Sequence, residues 1–365
     1  MTEFTATAYG HDIAVFRPEN DMLHTSPVEP QAVGCDEVLE GWPRGECGGV
    51  QMANQVIEAV SRGGDPVFGN HEPTHGADST AAFTAMGARF DRKPAEIPVG
   101  STYIISAHGA APGVTEAATE RGLNVLDVTC PLVTRTHVAI ERAARESGPD
   151  TPAAIAYISL GSSPTHPELV GAAGLAEARK VPFHIVSNEE DATRLLQGIN
   201  PATRLVIVGQ TTNNSDAADE LIGHIRSAAQ EHGVTVGRQN LHDVCHTVRD
   251  RQRSVRAIVG ERVGTLIVVG SVNSKNTKSL ATVAALEARL AEHPMVVYLV
   301  NSWGQLPDLG GRVGLVSGAS TRAQNVDGVI TRLNPRLGVR KVGEDTDKGI
   351  VFSPIHAATR AILNS

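Results

Sequence analysis

Residues 102–109 read TYIISAHG: a β-branched and aromatic run that passes directly into a small polar loop closed by glycine. That transition marks a buried strand ending at a loop, and it recurs along the chain. Apolar runs at 102–106, 123–127, 153–160, 204–208, 265–269, 295–300 and 313–316 alternate with longer amphipathic segments, among them 48–61, 131–147, 215–231, 246–259, 278–292 and 322–333. Short apolar runs alternating with amphipathic helices predict an α/β fold with mostly parallel sheets. Residues 1–40 carry scattered Pro, Glu and His with little periodicity, so they read as an N-terminal extension with a short strand at most.

A chain of 365 residues has room for two or three domains, and its 41% hydrophobic and 20% charged content suits globular cores. The net charge of −8 provides no broad basic field, so neither nucleic acid nor a membrane surface is expected as a partner. The start, MTEFTATAYGHDIAVF, has no basic stretch followed by an apolar core and cleavage site, and a cytoplasmic protein is expected. Neither a dinucleotide fingerprint nor a P-loop is present, so no NAD or ATP is assigned.

The expected strands run into polar loops, all but one containing glycine: SAHG at 106–109, DVTCP at 127–131, GSSPTHPE at 161–168, GQTT at 209–212, GSVNSKN at 270–276 and SGAS at 317–320. In open α/β sheets, ligands collect outside the carboxyl ends of the strands, where helix N-termini and loop amides converge. Any one such loop reads equally well as a turn or helix cap. All of them together, two with a His and one with a Cys, point to one composite site.

Cys47, Cys130 and Cys245 each precede a segment of helical pattern, whereas Cys35 lies in the irregular extension. A helix N-terminus favours thiolate, the form that binds metals. Each pair of successive cysteines is separated by about the length of a small α/β unit, so one cysteine opens each of three domains: 41–129, 130–243 and 244–333, followed by a tail at 334–365. Three thiolates on one cubane would leave an iron open to substrate. On spacing alone, buried cysteines or a zinc site completed by His246 remain alternatives.

The motifs PRGECGGV (43–50), HEPTH (71–75), SAHG (106–109), DVTCPLVTRTH (127–137), THPELVG (165–171), GQTT (209–212), DVCHTVRDRQ (243–252), GSVNSKN (270–276) and SGAS (317–320) resemble, in order, those of the LytB/IspH family, the 4-hydroxy-3-methylbut-2-enyl diphosphate reductases. The resemblance implies three small α/β domains in a pseudo-threefold cloverleaf around a central iron–sulfur cluster, a [4Fe–4S] cluster held by Cys47, Cys130 and Cys245. It further implies that His75, His108, Ser274, Asn276 and Ser320 hold a substrate diphosphate, with Lys275 in the same loop. His166 and Glu168 would orient and deliver a proton, and Thr211 would touch the reacting hydroxyl. The implied reaction is a two-electron reductive dehydroxylation supplied by an external donor such as ferredoxin or flavodoxin.

Several positions depart from the family pattern: Glu46, Gly76, Lys275, Thr277, His246, Val248 and Arg322. They cluster near the implied substrate rather than the cysteines. A Lys in the anion loop adds a point charge toward phosphate or another acidic group. Two further readings therefore stand beside the diphosphate reductase: a paralogue reducing another small allylic or unsaturated acid or phosphate, and a non-catalytic metal-binding sensor.

Overall fold

The computed structural model describes residues 2–8, 11–17, 34–73, 77–237, 245–344 and 359. The chain begins with strands β1 (Thr2–Ala8), β2 (His11–Arg17) and β3 (Glu37–Gly41), then helix α1 (Gly48–Arg62), β4 (Val67–Gly69) and α2 (Ala77–Ala85). Next come β5 (Thr102–Ile105), α3 (Pro112–Glu120), β6 (Asn124–Asp127) and α4 (Pro131–Glu146). A third stretch holds β7 (Ala153–Ile158), α5 (Pro167–Ala178), β8 (Phe183–Val186), α6 (Glu189–Gly198), β9 (Arg204–Gly209), α7 (Ser215–Glu231) and β10 (Thr235–Val236). The last contains α8 (His246–Gly260), β11 (Thr265–Val269), α9 (Lys275–Leu290), β12 (Val296–Val300), β13 (Arg312–Ser317), α10 (Ala323–Leu333) and β14 (Val339–Val342). The fold is α/β, as expected, and no helix among the described residues is long and apolar enough to cross a membrane.

Two compact units divide the chain: Met1–Gly48, Thr74–Ala81 and His246–Ile350 form the first, and Gly49–Pro73, Ala82–Cys245 and Val351–Ser365 the second. The first contains one seven-stranded sheet in the order β1-β2-β12-β11-β13-β3-β14. Only the β1–β2 pair is antiparallel. Alternation decides which side each residue serves: Leu266 and Val268 join Val255, Ile258 and Leu280 beneath α8 and α9, while Ile267 and Val269 join Val326 and Val329 beneath α10. Covering both faces explains why the central strands read as unbroken apolar runs.

The N-terminal expectation needs correction. Residues 1–40 hold not one short strand but two seven-residue strands in a hairpin, plus most of β3. The hairpin pairs from Thr2–Arg17 to Ala8–His11 and meets β12 at the Phe16–Tyr298 pair. Within β3, buried Glu40 breaks the apolar pattern. Its carboxylate accepts from Trp42 Nε1 at 3.1 Å and from Arg44 at 2.7 Å, which satisfies the buried charge. Cys35, left out of the expected metal set, is core: it packs with Val38, Ile267 and Leu333, and burial pushes its thiol pKa up.

The second unit has two parallel sheets, ordered β4-β5-β6 and β10-β9-β7-β8. In the smaller, Ile104 and Leu126 pack with Ala53, Val56 and Ile57 of α1, while Tyr103 and Ile105 face Ala118 of α3 on the other side. In the larger, Ile155, Tyr157, Val206 and Val208 pack with Ile140 of α4 and Leu169 and Leu175 of α5. The intervening Ala154, Ala156, Leu205 and Ile207 are buried on the opposite face, as are Leu195, Leu196, Leu221 and Ile225 of α6 and α7. Because the strands within each sheet run parallel, each sheet gathers its loops from the carboxyl ends of its strands along one edge.

Candidate functional site

In the first unit, β3, β13 and β11 are neighbours, and their carboxyl ends carry the loops of Cys47, Ser320 and Ser274. Cys47 lies immediately before α1, and its backbone N–H donates to the Ala319 carbonyl at 2.8 Å. Gly45 N–H donates to Ser317 Oγ at 2.9 Å, so two bonds fasten the cysteine loop to SGAS. Ser274 caps α9, its hydroxyl accepting from Thr277 N–H at 3.4 Å. The adjacent Asn276 is only 3% exposed, yet neither its side-chain oxygen nor its nitrogen has a hydrogen-bond partner. An unpaired amide so deeply buried at a helix N-terminus is what an anion-binding position requires before its ligand arrives. Lys275 occupies the first position of the same helix. Helix α9 thus starts earlier than residue 278, because its polar first turn follows the cap rather than the apolar period.

Two departures from the family pattern are joined here. Arg322 Nε donates to Ser79 Oγ at 3.0 Å, and Ser79 Oγ donates to Glu46 Oε1 at 3.5 Å, so these residues form one polar chain beside Cys47 and Ser320. Val248 and Thr277 are buried.

The second unit holds Cys130, His108, His166, Glu168, Thr211 and Cys245. Cys130 is the residue immediately before α4, where Pro131 starts the helix, and its N–H donates to the Ala107 carbonyl at 3.0 Å, next to His108. A Cβ placed on Gly49 would stand 2.7 Å from Cys130 Sγ, so the glycine is what leaves the thiol its space. The rings of His108 and His166 meet edge-on, with centroids 5.9 Å apart. His166 caps α5 by accepting from Glu168 N–H at 3.3 Å. Glu168 is 5% exposed; its carboxylate accepts from Thr211 N–H at 3.1 Å and from the Thr211 hydroxyl at 2.5 Å. The Thr211 carbonyl in turn accepts from Cys245 N–H at 3.0 Å, directly before α8. Backbone and side-chain contacts therefore link Cys130, His108, His166, Glu168, Thr211 and Cys245 in one continuous series. His75 and Gly76 lie outside the described residues.

Residues that the motif reading did not single out hold these loops. Asn70 donates from Nδ2 to the Gly109 carbonyl at 3.1 Å and accepts from Ser106 N–H at 2.8 Å, bracing SAHG at both ends. His137 lies against Gly109, and burial lowers its pKa. Gln210 accepts from Ser159 and Ser162, and Asn213 spans the Leu160 N–H and the Ile158 carbonyl, which ties GQTT to GSSPTHPE. A polar side chain bridging two loop backbones carries no hydrophobic period, so only its place inside a motif could have drawn attention to it. Replacing Asn70 by Ala leaves one N–H and one carbonyl without these partners, and is expected to cost about 1–3 kcal/mol. Thermal or denaturant unfolding of the variant measures this, and a value within error of zero contradicts the bracing role.

All three site cysteines are half-buried and start helices, which is the environment of a metal-binding thiolate. Among the described residues, no group of three or more His, Cys, Asp or Glu side chains is drawn tightly enough for a single ion. A cubane takes its thiolates farther apart than one ion does, and three helix-start cysteines supply the kind of donor that holds one.

The family profile described as LytB protein matches residues 38–334. The 4-hydroxy-3-methylbut-2-enyl diphosphate reductase of Ralstonia nicotianae is 34% identical over 321 residues, covering 86% of this chain and 91% of its own. Reductase 2 of Burkholderia mallei is 32% identical over 327 residues, covering 88% and 93%. Among solved structures, the Plasmodium falciparum E-1-hydroxy-2-methyl-but-2-enyl-4-diphosphate reductase superposes with a TM-score of 0.71 at 24% identity, over 84% of this chain and 92% of that one. A second, described as the terminal enzyme of the non-mevalonate pathway, gives 0.57 at 26% identity, over 82% and 99%. From the profile match and these relatives, the chain belongs to the LytB protein family.

Proposed function

We propose that the protein is a cytoplasmic reductase converting 4-hydroxy-3-methylbut-2-enyl diphosphate to isopentenyl and dimethylallyl diphosphate, with a [4Fe–4S] cluster held by Cys47, Cys130 and Cys245. The observation that carries this reading is the bonded series Glu168–Thr211–Cys245, which ties a buried carboxyl to the residue proposed as a cluster ligand. When bound, the cluster supplies electrons and one iron without a protein ligand. Each thiolate is taken to open its own α/β domain, at 41–129, 130–243 and 244–333.

The chain's own residues supply binding and proton control. The start of α9, with Ser274, Lys275 and Asn276, receives the diphosphate together with Ser320, His75 and His108. Hydroxyls, imidazoles and the side-chain amide donate to phosphate oxygens, and the helix dipole favours their charge. His166 orients the substrate hydroxyl, and the Thr211 hydroxyl sits between it and Glu168. The allylic C–O bond breaks as a proton from Glu168 lets the oxygen leave as water. Two electrons and a second proton on carbon complete the reduction. With no nicotinamide or flavin fingerprint, the electrons come from an external protein such as ferredoxin or flavodoxin.

Lys275 favours a second reading. A cation at the first position of a helix opposes the dipole, so its presence suits a site selecting a more acidic or differently charged substrate. Anaerobic purification, iron and sulfide analysis and single-vessel reduction with the diphosphate decide between the two. Formation of both C5 diphosphates is expected. A fully loaded protein that makes neither overturns the first reading in favour of the second, and a protein that takes up no cluster overturns both.

A further inference from the structure

Arg251, in α8, is 1% exposed and heads the large side chains fully enclosed by the fold. Burying a guanidinium is costly unless its donors are used. Here they serve two loops: Nε donates to the Ser317 carbonyl at 3.0 Å and Nη2 to the Gly45 carbonyl at 2.5 Å. Ser317 begins the loop that ends at Ser320, and Gly45 stands two residues before Cys47. The same two loops are joined directly by Gly45 N–H to Ser317 Oγ and Cys47 N–H to the Ala319 carbonyl. One planar cation thus closes a ladder in which the cysteine loop has the anion loop as its template. Lysine cannot reproduce this, because a single ammonium lacks the rigid fork that reaches two carbonyls at fixed angles.

We propose that Arg251 is a positioning residue that locks the Cys47 loop to the Ser317–Ser320 loop, so that the aim of the Cys47 thiol and the binding of an anion at Ser320 are coupled through one buried guanidinium. The coupling to anion binding rests on the proposed function, whereas the lock on Cys47 does not. Its mechanical logic is that an anion ordering Ser320 acts on Ala319 and Ser317, whose carbonyls hold the Cys47 backbone and Arg251. Coupling of this kind needs only that the two loops share their hydrogen bonds.

The full-length protein and its Arg251→Lys variant separate these parts. In the metal-free state, the alkylation rate of each cysteine by iodoacetamide is read by mass spectrometry, with Cys130 and Cys245 as internal controls. Cys47 is expected to react several-fold faster in the variant, while the controls keep their rates. An unchanged Cys47 rate overturns the lock whether or not a cluster ever binds. In the reconstituted protein, inorganic diphosphate is expected to shift the electron paramagnetic resonance signal of the reduced cluster in the wild type and much less in the variant. An equal shift in both overturns the coupling, and a wild type that takes up no cluster counts against the proposed function alone. Should Arg251→Lys fail to fold, Ser317→Ala removes the Gly45 rung from the other side and is expected to quicken Cys47 alkylation likewise. An unchanged rate there also overturns the lock.

Discussion

Glu168→Gln is expected to lower turnover by about 10²- to 10⁴-fold while leaving the fold and the cluster content unchanged. The two side chains have nearly the same volume, which matters at a site only 5% exposed. The glutamine oxygen takes over the bond from Thr211 N–H now made by Glu168 at 3.1 Å. Its NH₂ group then faces the Thr211 hydroxyl, which rotates from donor to acceptor. Both contacts survive in altered polarity, so Thr211 still presents its carbonyl to Cys245 N–H. Under the proposed function, what is lost is the group that surrenders a proton as the C–O bond breaks. Steady-state reduction with an artificial one-electron donor, alongside iron analysis and thermal melting, checks each part. Undiminished turnover with intact cluster removes Glu168 from proton delivery.

The strand and helix boundaries around Glu168 and Thr211 were legible in the primary structure. GQTT ends β9 and THPE begins α5, and both the strand pattern and the polar loop can be read locally. The helix starts after Cys47, Cys130 and Cys245 were equally visible, since an amphipathic period follows each thiol at once. Their common setting was an argument from residues, independent of family motifs.

What stayed hidden depends on contacts distant in the chain. Strand β14 adds to β3 at the sheet edge, and its exposed VRKV sequence has almost no apolar face to betray it. The hairpin β1–β2 pairs within a segment that has little periodicity. Arg251 lies in a motif quoted for its Cys and Asn70 immediately before one quoted for its His, and neither stands out by any hydrophobic period until the fold brings backbone from other loops to it. The Arg322–Ser79–Glu46 chain shows the same limit: two departures were noticed separately, and the serine that connects them lies in a segment without a motif.

Gly49→Ala tests the cysteine arrangement in the opposite way, by adding an atom instead of removing a proton. In an ordinary helix this change stabilises by about 0.5–1 kcal/mol, through lost freedom of the unfolded chain. Here the new methyl would meet Cys130 Sγ at 2.7 Å and its Cβ at 3.4 Å, well inside normal contact. The Cys130 backbone cannot retreat easily, because its N–H is bonded to Ala107 and Pro131 follows at the start of α4. Rotation about χ1 is the cheap escape, and it swings the thiol away from its present direction. The metal-free variant should therefore melt at or slightly above the wild-type temperature, while cluster affinity falls by about 10- to 100-fold, as when a metal ligand loses its orientation. Iron and sulfide titration under anaerobic conditions reads the second effect, and calorimetry the first. A variant that binds the full cluster with wild-type affinity would mean that the direction Gly49 imposes on the Cys130 thiol does not matter to the proposed cluster.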